Sequence, residues 1–352
     1  MRGKNCIRFK LVLLLVAIAY CPCMNAAVPP LIIPPSISDW NISRKAIRTE
    51  LVQLLGDLPA RPAEPKVKVL KVEQRGDIIV EKIEIENGAG DVIPAYVVKS
   101  IESKGKHPAI LYCHWHGGEY DIGKEELFQK KHTPEIPAFV LAKQGYIVIA
   151  PDAYGFGERS GKGPGGPAEK GSKEEMSLSK LNLWYGRTLW GMIVRDDQIA
   201  LDYLISRSDV DSSRIGCTGI SMGATRTWWL TALDERIKSG VAVACLTRYQ
   251  ELIENQQLAA HGIYYFVPGI LKHFDTEAIV SLSAPRPMLF MTGDQDGGSP
   301  AAGIRRINAS VEKIYQLYGK ADSFQSEIYP QVGHEYTPEM WQKMVGWFGK
   351  NL

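Results

Sequence analysis

Apolar positions along the chain fall into two regimes. Residues 77–86 (DIIVEKIEIE) alternate apolar and charged, the two-residue period of a strand with one wet face. Residues 92–98 are its expected antiparallel partner. Beyond Ser100 the texture changes to short, mainly apolar runs at 109–113, 146–150, 214–219, 241–245, 288–292 and 327–329. Stretches with helical spacing separate them, at 134–144, 178–206, 222–237, 301–317 and 338–348. Apolar strands divided by helices predict a parallel sheet covered on both faces. Ahead of these, 41–56 carries Ile47, Leu51, Leu54 and Leu55 on one helical face, with Gly56 as a stop. The expected fold class is α/β, a mostly parallel mixed sheet with an antiparallel N-terminal strand pair and helices on both faces. Two stretches exceed what such a sheet needs. Residues 154–173 are rich in Gly, Lys and Pro, and 247–287 carry His261, Tyr264 and Tyr265. Long excursions of this kind line a site or move.

The first 27 residues follow a different logic. Arg2, Lys4, Arg8 and Lys10 precede the apolar run 11–20 (LVLLLVAIAY), and the small stretch Asn25-Ala26-Ala27 follows. Basic, apolar, small is the order of a secretory signal. Ten apolar residues are about half a spanning helix, which weighs against a retained anchor. Bulky Tyr20 before Cys21 weighs against a lipoprotein. The expected organisation is a signal peptide at 1–27 and a single domain at 28–352, exported to the periplasm or beyond, with no stable membrane span after processing. Within that domain, 28–100 supplies the N-terminal helix and antiparallel strands and 101–352 the core that carries the chemistry.

Charge narrows the partners. The chain holds 41 Lys+Arg against 39 Asp+Glu, and without 1–27 the balance falls to −2. No basic footprint for a nucleic acid remains. The three cysteines outside the leader, Cys113, Cys217 and Cys245, lie in apolar runs and read as buried small hydrophobes rather than a disulfide framework.

Chemistry concentrates at Gly219-Ile220-Ser221-Met222-Gly223, a G-x-S-x-G with a strand pattern before it and a helix pattern after it. In that context the serine sits on a sharp turn at the strand's carboxyl end, and the Met222 N–H points to the same space. Without that context, the serine would merely cap the helix. A serine nucleophile needs a base, oriented in turn by a third group. His334, in Val332-Gly333-His334-Glu335 between the last strand and last helix, is the expected base, with His261 and His273 left as surface or substrate-facing. The acid should follow the 288–292 strand, where Asp294 and Asp296 both stand. Asp296 lies farther along the turn from the sheet edge. After the 109–113 strand comes His114-Trp115-His116-Gly117-Gly118, whose glycines allow backbone to approach closely. A backbone N–H here and that of Met222 would form an oxyanion hole, Trp115 and His116 being the alternatives. The H-x-H pair lacks the further ligands that a zinc site requires, so no metal is expected. Trp184, Tyr185, Tyr264 and Tyr265 are candidates for stacking on sugar rings, with core packing as the plainer alternative.

The ordered set HWHGG (114–118), PDAYGFGER (151–159), GRTLWGM (186–192), GISMGA (219–224), APRPMLFMTGDQD (284–296) and VGHEYTPEMW (332–341) resembles the α/β-hydrolase superfamily. Within it the likeness is to dienelactone-hydrolase-like and acetyl-xylan-esterase-like proteins. The resemblance runs from about Pro108 to the C-terminus. It implies Ser221 as nucleophile, Asp296 as acid at the last position of G-x-x-D, His334 as base, and no metal or organic cofactor. With the export signal it implies an exported serine esterase acting on a small-molecule or polysaccharide ester, such as an acetylated carbohydrate. A serine peptidase of prolyl-oligopeptidase type shares the architecture, but no propeller repeat precedes Pro108 to gate peptide entry. A non-catalytic binding protein on the same fold would not need Ser, Asp and His together.

Overall fold

The computed structural model describes residues 28–352, so the expected signal segment lies outside the described residues. The chain enters through helix α1 (Ile37–Leu55), whose first turn is capped by the Ser36 hydroxyl accepting from the Asp39 N–H at 3.1 Å. Three strands follow as an antiparallel meander: β1 (Val67–Arg75), β2 (Ile78–Glu86) and β3 (Val92–Ser100). The remainder alternates: β4 (His107–Cys113), α2 (Pro137–Lys143), β5 (Ile147–Pro151), α3 (Ser172–Trp184), α4 (Leu189–Ser206), β6 (Val210–Ile220), α5 (Met222–Leu233) and β7 (Ser239–Val243). After two short helices, α6 (Tyr249–Glu254) and α7 (Thr276–Ser281), come β8 (Met288–Gly293), α8 (Ala301–Leu317), β9 (Phe324–Tyr329) and α9 (Pro338–Asn351).

These make one nine-stranded sheet in the order β1-β2-β3-β5-β4-β6-β7-β8-β9. Strands β4 to β9 are mutually parallel, and β3 joins β5 antiparallel. Side-chain alternation divides the interior in two. Ala109, Leu111 and Cys113 of β4 face a layer built on α1, α4, α5, α7 and α8. Ile110 and Tyr112 face the opposite layer, where α2 and α9 supply Leu141, Met340, Trp341 and Phe348. The β4–β5 and β5–β6 connections run in opposite directions along the sheet, which opens a crevice at the carboxyl ends of the parallel strands.

Two expectations need correction. The helical pattern at 178–206 is two helices, because Gly186 takes φ 71°, Arg187 bridges back to Gly56, and Thr188 starts a new helix by accepting the Gly191 N–H at 2.9 Å. The meander has a third strand, β1, which among the described residues pairs only with β2 and carries a register irregularity between Val69 and Lys71. Its Val69, Leu70 and Val72 are exposed, so it lacks the buried alternation that marks a strand in sequence. The 247–287 excursion is packed: Leu252, Tyr264, Tyr265, Phe274 and Ile279 are all buried.

Trp40 anchors α1 to the rest and is 0% exposed. Trp40→Ala should lower unfolding free energy by about 3–5 kcal/mol, the scale for emptying a buried aromatic site. Urea unfolding of the variant beside the parent measures it.

Candidate active site

Strand β6 delivers the chain to Ser221 at φ 58° and ψ −118°, a backbone that side-chain-bearing residues rarely adopt. Two bonds hold it there: Ser221 N–H donates to the Val243 carbonyl at 2.9 Å, and its own carbonyl accepts from Thr225 N–H at 3.0 Å. The flanking glycines are dictated by the neighbouring strand. A Cβ on Gly219 would stand 2.2 Å from the Cys113 carbonyl oxygen, and one on Gly223 only 2.0 Å from the same atom. Backbone from the end of β4 therefore touches the elbow directly, with no room for a methyl group.

His334, in the loop between β9 and α9, brings Nε2 to 2.8 Å from Ser221 Oγ. Its Nδ1 lies 2.8 Å from Asp296 Oδ2. With a carboxylate at Nδ1, the proton sits there and Nε2 is free to accept from the serine hydroxyl. Asp296 is buried just past β8, and its other oxygen accepts from Gly298 N–H at 3.0 Å. Asp294 turns elsewhere: its carboxylate accepts from Gln331 N–H at 2.7 Å and braces the loop that carries the histidine.

The 114–118 loop is tied down residue by residue. His114 is buried, and its ring nitrogens meet the Trp115 carbonyl at 2.8 Å and the Ala153 N–H at 3.1 Å. Burial holds its pKa well below the ordinary value, so it stays neutral. Trp115 N–H donates to Glu126 Oε2 at 2.8 Å. That donor is spent, which overturns Trp115 as an oxyanion donor. His116 N–H makes no hydrogen bond among the described residues, and Met222 N–H belongs to the first turn of α5, where helix donors lack internal partners. The His116 ring donates to Glu175 at 2.7 Å and accepts from Gly118 N–H at 3.0 Å. Both imidazoles of the H-x-H pair are thus committed to protein partners.

The aromatic candidates divide. Tyr264 and Tyr265 are buried, one stacked on His116 at 5.0 Å and the other on His261 at 4.2 Å. Their faces back the walls of the site and are not open to a sugar, which corrects the stacking expectation for both. Trp184 and Tyr185 are 89% and 61% exposed at the end of α3, with no contact to Ser221, Asp296 or His334. Sequence reasoning passed over two carboxylates, Glu126 and Glu175. Tyr112 Oη donates to Glu126 at 2.6 Å, and Tyr120 Oη to Glu175 at 3.1 Å. Nothing in the local pattern separates them from neighbouring surface acids. The Trp115 indole, stacked on His132 at 3.6 Å, lies 6.3 Å from the His334 ring.

Comparison with known proteins places this geometry in context. The model of the Abhydrolase family matches residues 29–349. A Bacillus subtilis (strain 168) protein named as a hydrolase, YtaP, is 41% identical over 279 residues, 79% of this chain and 89% of its own. A Yersinia pestis protein named as a carboxymethylenebutenolidase is 26% identical over 271 residues, covering 74% of this chain and 84% of its own. A solved structure described as an acetyl xylan esterase of Bacteroides fragilis NCTC 9343 superposes with a TM-score of 0.68 at 23% identity, over 86% of this chain and 80% of that one.

Glu126 gives the site a pH signature. Burial pushes its carboxyl up to about 7, against the opposing pull of the Tyr112 and Trp115 donors. A carboxyl raised above its unfolded value of 4.5 binds more protons folded than unfolded between those limits. Stability should therefore fall as pH rises through that window, by up to about 1.4 kcal/mol per pH unit. Glu126→Gln should flatten that slope, as urea unfolding at pH 5 and pH 7.5 would show.

Proposed function

Because the chain belongs to the Abhydrolase family, we propose that it is an exported serine esterase using Ser221, His334 and Asp296 as its triad. The observation that carries this reading is the unbroken chain Ser221 Oγ, His334 Nε2, His334 Nδ1, Asp296 Oδ2, with 2.8 Å at each junction. The esterase names among the relatives and neighbours support a carboxylic ester as substrate, and an acetylated carbohydrate as the class to test first.

In the proposed reaction Ser221 Oγ attacks the ester carbonyl carbon while His334 Nε2 takes its proton. Negative charge collects on the former carbonyl oxygen, in the space that the Met222 and His116 N–H groups face. Asp296 stabilises the imidazolium through Nδ1–H. Collapse of the adduct breaks the bond to the alcohol, which leaves with the proton from Nε2 and an acyl group on Ser221. Water then repeats the cycle: His334 accepts its proton, hydroxide adds to the acyl carbon, and the carboxylic acid departs as Ser221 recovers its hydrogen.

A panel of p-nitrophenyl acetate, butyrate and longer esters, acetylated xylan and a peptide amide tests the class, with turnover expected on acetyl esters and none on the amide. Ser221→Ala should lower kcat by roughly 10⁴–10⁶ while leaving the melting temperature near that of the parent. Retention of more than about a tenth of activity would refute the assignment. Asp296→Asn should cost about 10⁴ in kcat through the wrong histidine tautomer. Asp294→Asn should instead remove about 0.5–2 kcal/mol of stability, the worth of its loop contact. The reverse pairing of effects would exchange the roles of the two aspartates. Export predicts a mature N-terminus near Ala26, Ala27 or Val28, which mass spectrometry of the exported protein reads, and Met1 retained in a membrane fraction would contradict it.

A further inference from the structure

A second concavity opens past the carboxyl end of β5, at the edge of the sheet where the serine also stands. It is a cavity of 360 Å³ walled by Asp91, Arg159, Lys162, Glu174, Asn182 and Arg187 among others, and none of the triad residues lines it. Two links tie it to the reacting centre. Ala153 fixes His114 through its N–H, and the next residue, Tyr154, lines the cavity. On α3, Glu175 holds His116 while Glu174 faces the cavity.

The charges around it are unequally satisfied. Glu174 accepts from the N–H groups of Gly161 and Gly163, each at 2.7 Å. Asp91 accepts from Arg159 at 2.7 Å. Arg159 is 2% exposed and also binds Asp196 at 2.9 Å, yet its Nε is buried without a partner. Lys162 and Arg187 have no ion pair among the described residues. The Arg187 side chain donates only through Nε, to Asn182 at 2.8 Å, and stacks its guanidinium 5.1 Å from the centre of the Tyr185 ring. The carboxylates are thus already served, and the unspent donors are cationic. Beside them the α3–α4 junction presents Trp184 and Tyr185 to solvent, aromatic rings with open faces.

We propose that this cavity is a subsite for a carboxylate-bearing sugar, so that the natural ester sits on an acidic polysaccharide. The inference rests on the esterase reading for the reacting ester. The recognition itself rests on the cavity: Lys162 and Arg187 meet the carboxylate, Arg187 as a planar fork, while Tyr185 and Trp184 flank the sugar ring. Such a subsite orients the ester-bearing unit by gripping its neighbour, which adds binding energy remote from the reacting carbonyl.

The test compares acetylated xylo-oligosaccharides with and without a glucuronic acid branch, together with calorimetric titration of glucuronate, glucose and inorganic phosphate into the full chain at low salt. We expect kcat/KM for the branched substrate to exceed that for the unbranched one by about tenfold, one charge-assisted hydrogen bond's worth. Lys162→Gln and Arg187→Gln should each shrink that ratio, and added salt should shrink it too. Glucuronate should bind where glucose does not. Equal kcat/KM for the two substrates, with no glucuronate binding, overturns the proposal. Phosphate binding as tightly as glucuronate overturns the sugar part of it. Hydrolysis of neither substrate, nor of p-nitrophenyl acetate, would instead sink the esterase reading, and the glucuronate titration would still decide the cavity by itself. Because the titration uses the parent protein, a variant that failed to fold would not rescue the idea.

Discussion

The contact on which the site depends is between backbones. The Cys113 carbonyl at the end of β4 stands where a Cβ on either Gly219 or Gly223 would have to be. It is possible only because β4 and β6 are parallel neighbours, with Cys113 in register with Gly219. From this contact come both halves of the candidate site. It places the strained serine at the mouth of the crevice, and it sets the 114–118 loop against the first turn of α5, where Met222 N–H is unspent. A side chain at either glycine would separate strand from elbow, and no change elsewhere would close the gap.

Buried charge keeps this edge of the sheet in place. Arg226, one turn into α5, forms a bidentate pair with Asp197 of α4 at 2.9 and 2.5 Å, both wholly enclosed. Lys124 and Asp152 form another, with Asp152 also accepting from the N–H groups of Lys124 and Glu158 at 2.7 and 3.1 Å. Pairs like these add little net stability over an apolar filling, but losing one partner strands the other at about 3–5 kcal/mol. They therefore hold the arrangement of loops more strictly than they hold the fold as a whole. The loops that need such strictness are those that follow β4 and β5, which carry His114, His116 and the walls of the second cavity.

How much of this was legible in sequence depends on the range of the forces involved. The elbow is a local device of strand, glycine, serine, glycine and helix, so its pattern survives in one dimension. The meeting of His334 with Ser221 and Asp296 follows from chain order and from the strands before them, since each loop must emerge at the same sheet edge, but order alone leaves Asp294 beside Asp296. The break between α3 and α4 was written in Gly186 and Thr188, but a continuous apolar period at 178–206 hid it. Trp115 was misjudged because a buried carboxylate, Glu126, captures its N–H, and burial of a glutamate eleven residues away leaves no periodic trace. Sequence leaves Tyr264 and Tyr265 between sugar stacking and core packing, because an aromatic pair in a long excursion looks the same whether it lines a groove or seals one.

Strand β1 has a consequence of a different kind. It ends the sheet, so among the described residues one row of its N–H and C=O groups has no strand to pair with, and Val69, Leu70 and Val72 add apolar surface beside that row. Such an edge is a template on which another chain can continue the sheet. The irregularity between Val69 and Lys71 interrupts the row, and Lys68, Lys71 and Glu73 set charge along it. A strand that would add here must bury those charges and match a broken register. The polarity of this edge therefore guards the solubility of the chain, and an apolar replacement of Lys71 would trade that guard for self-association.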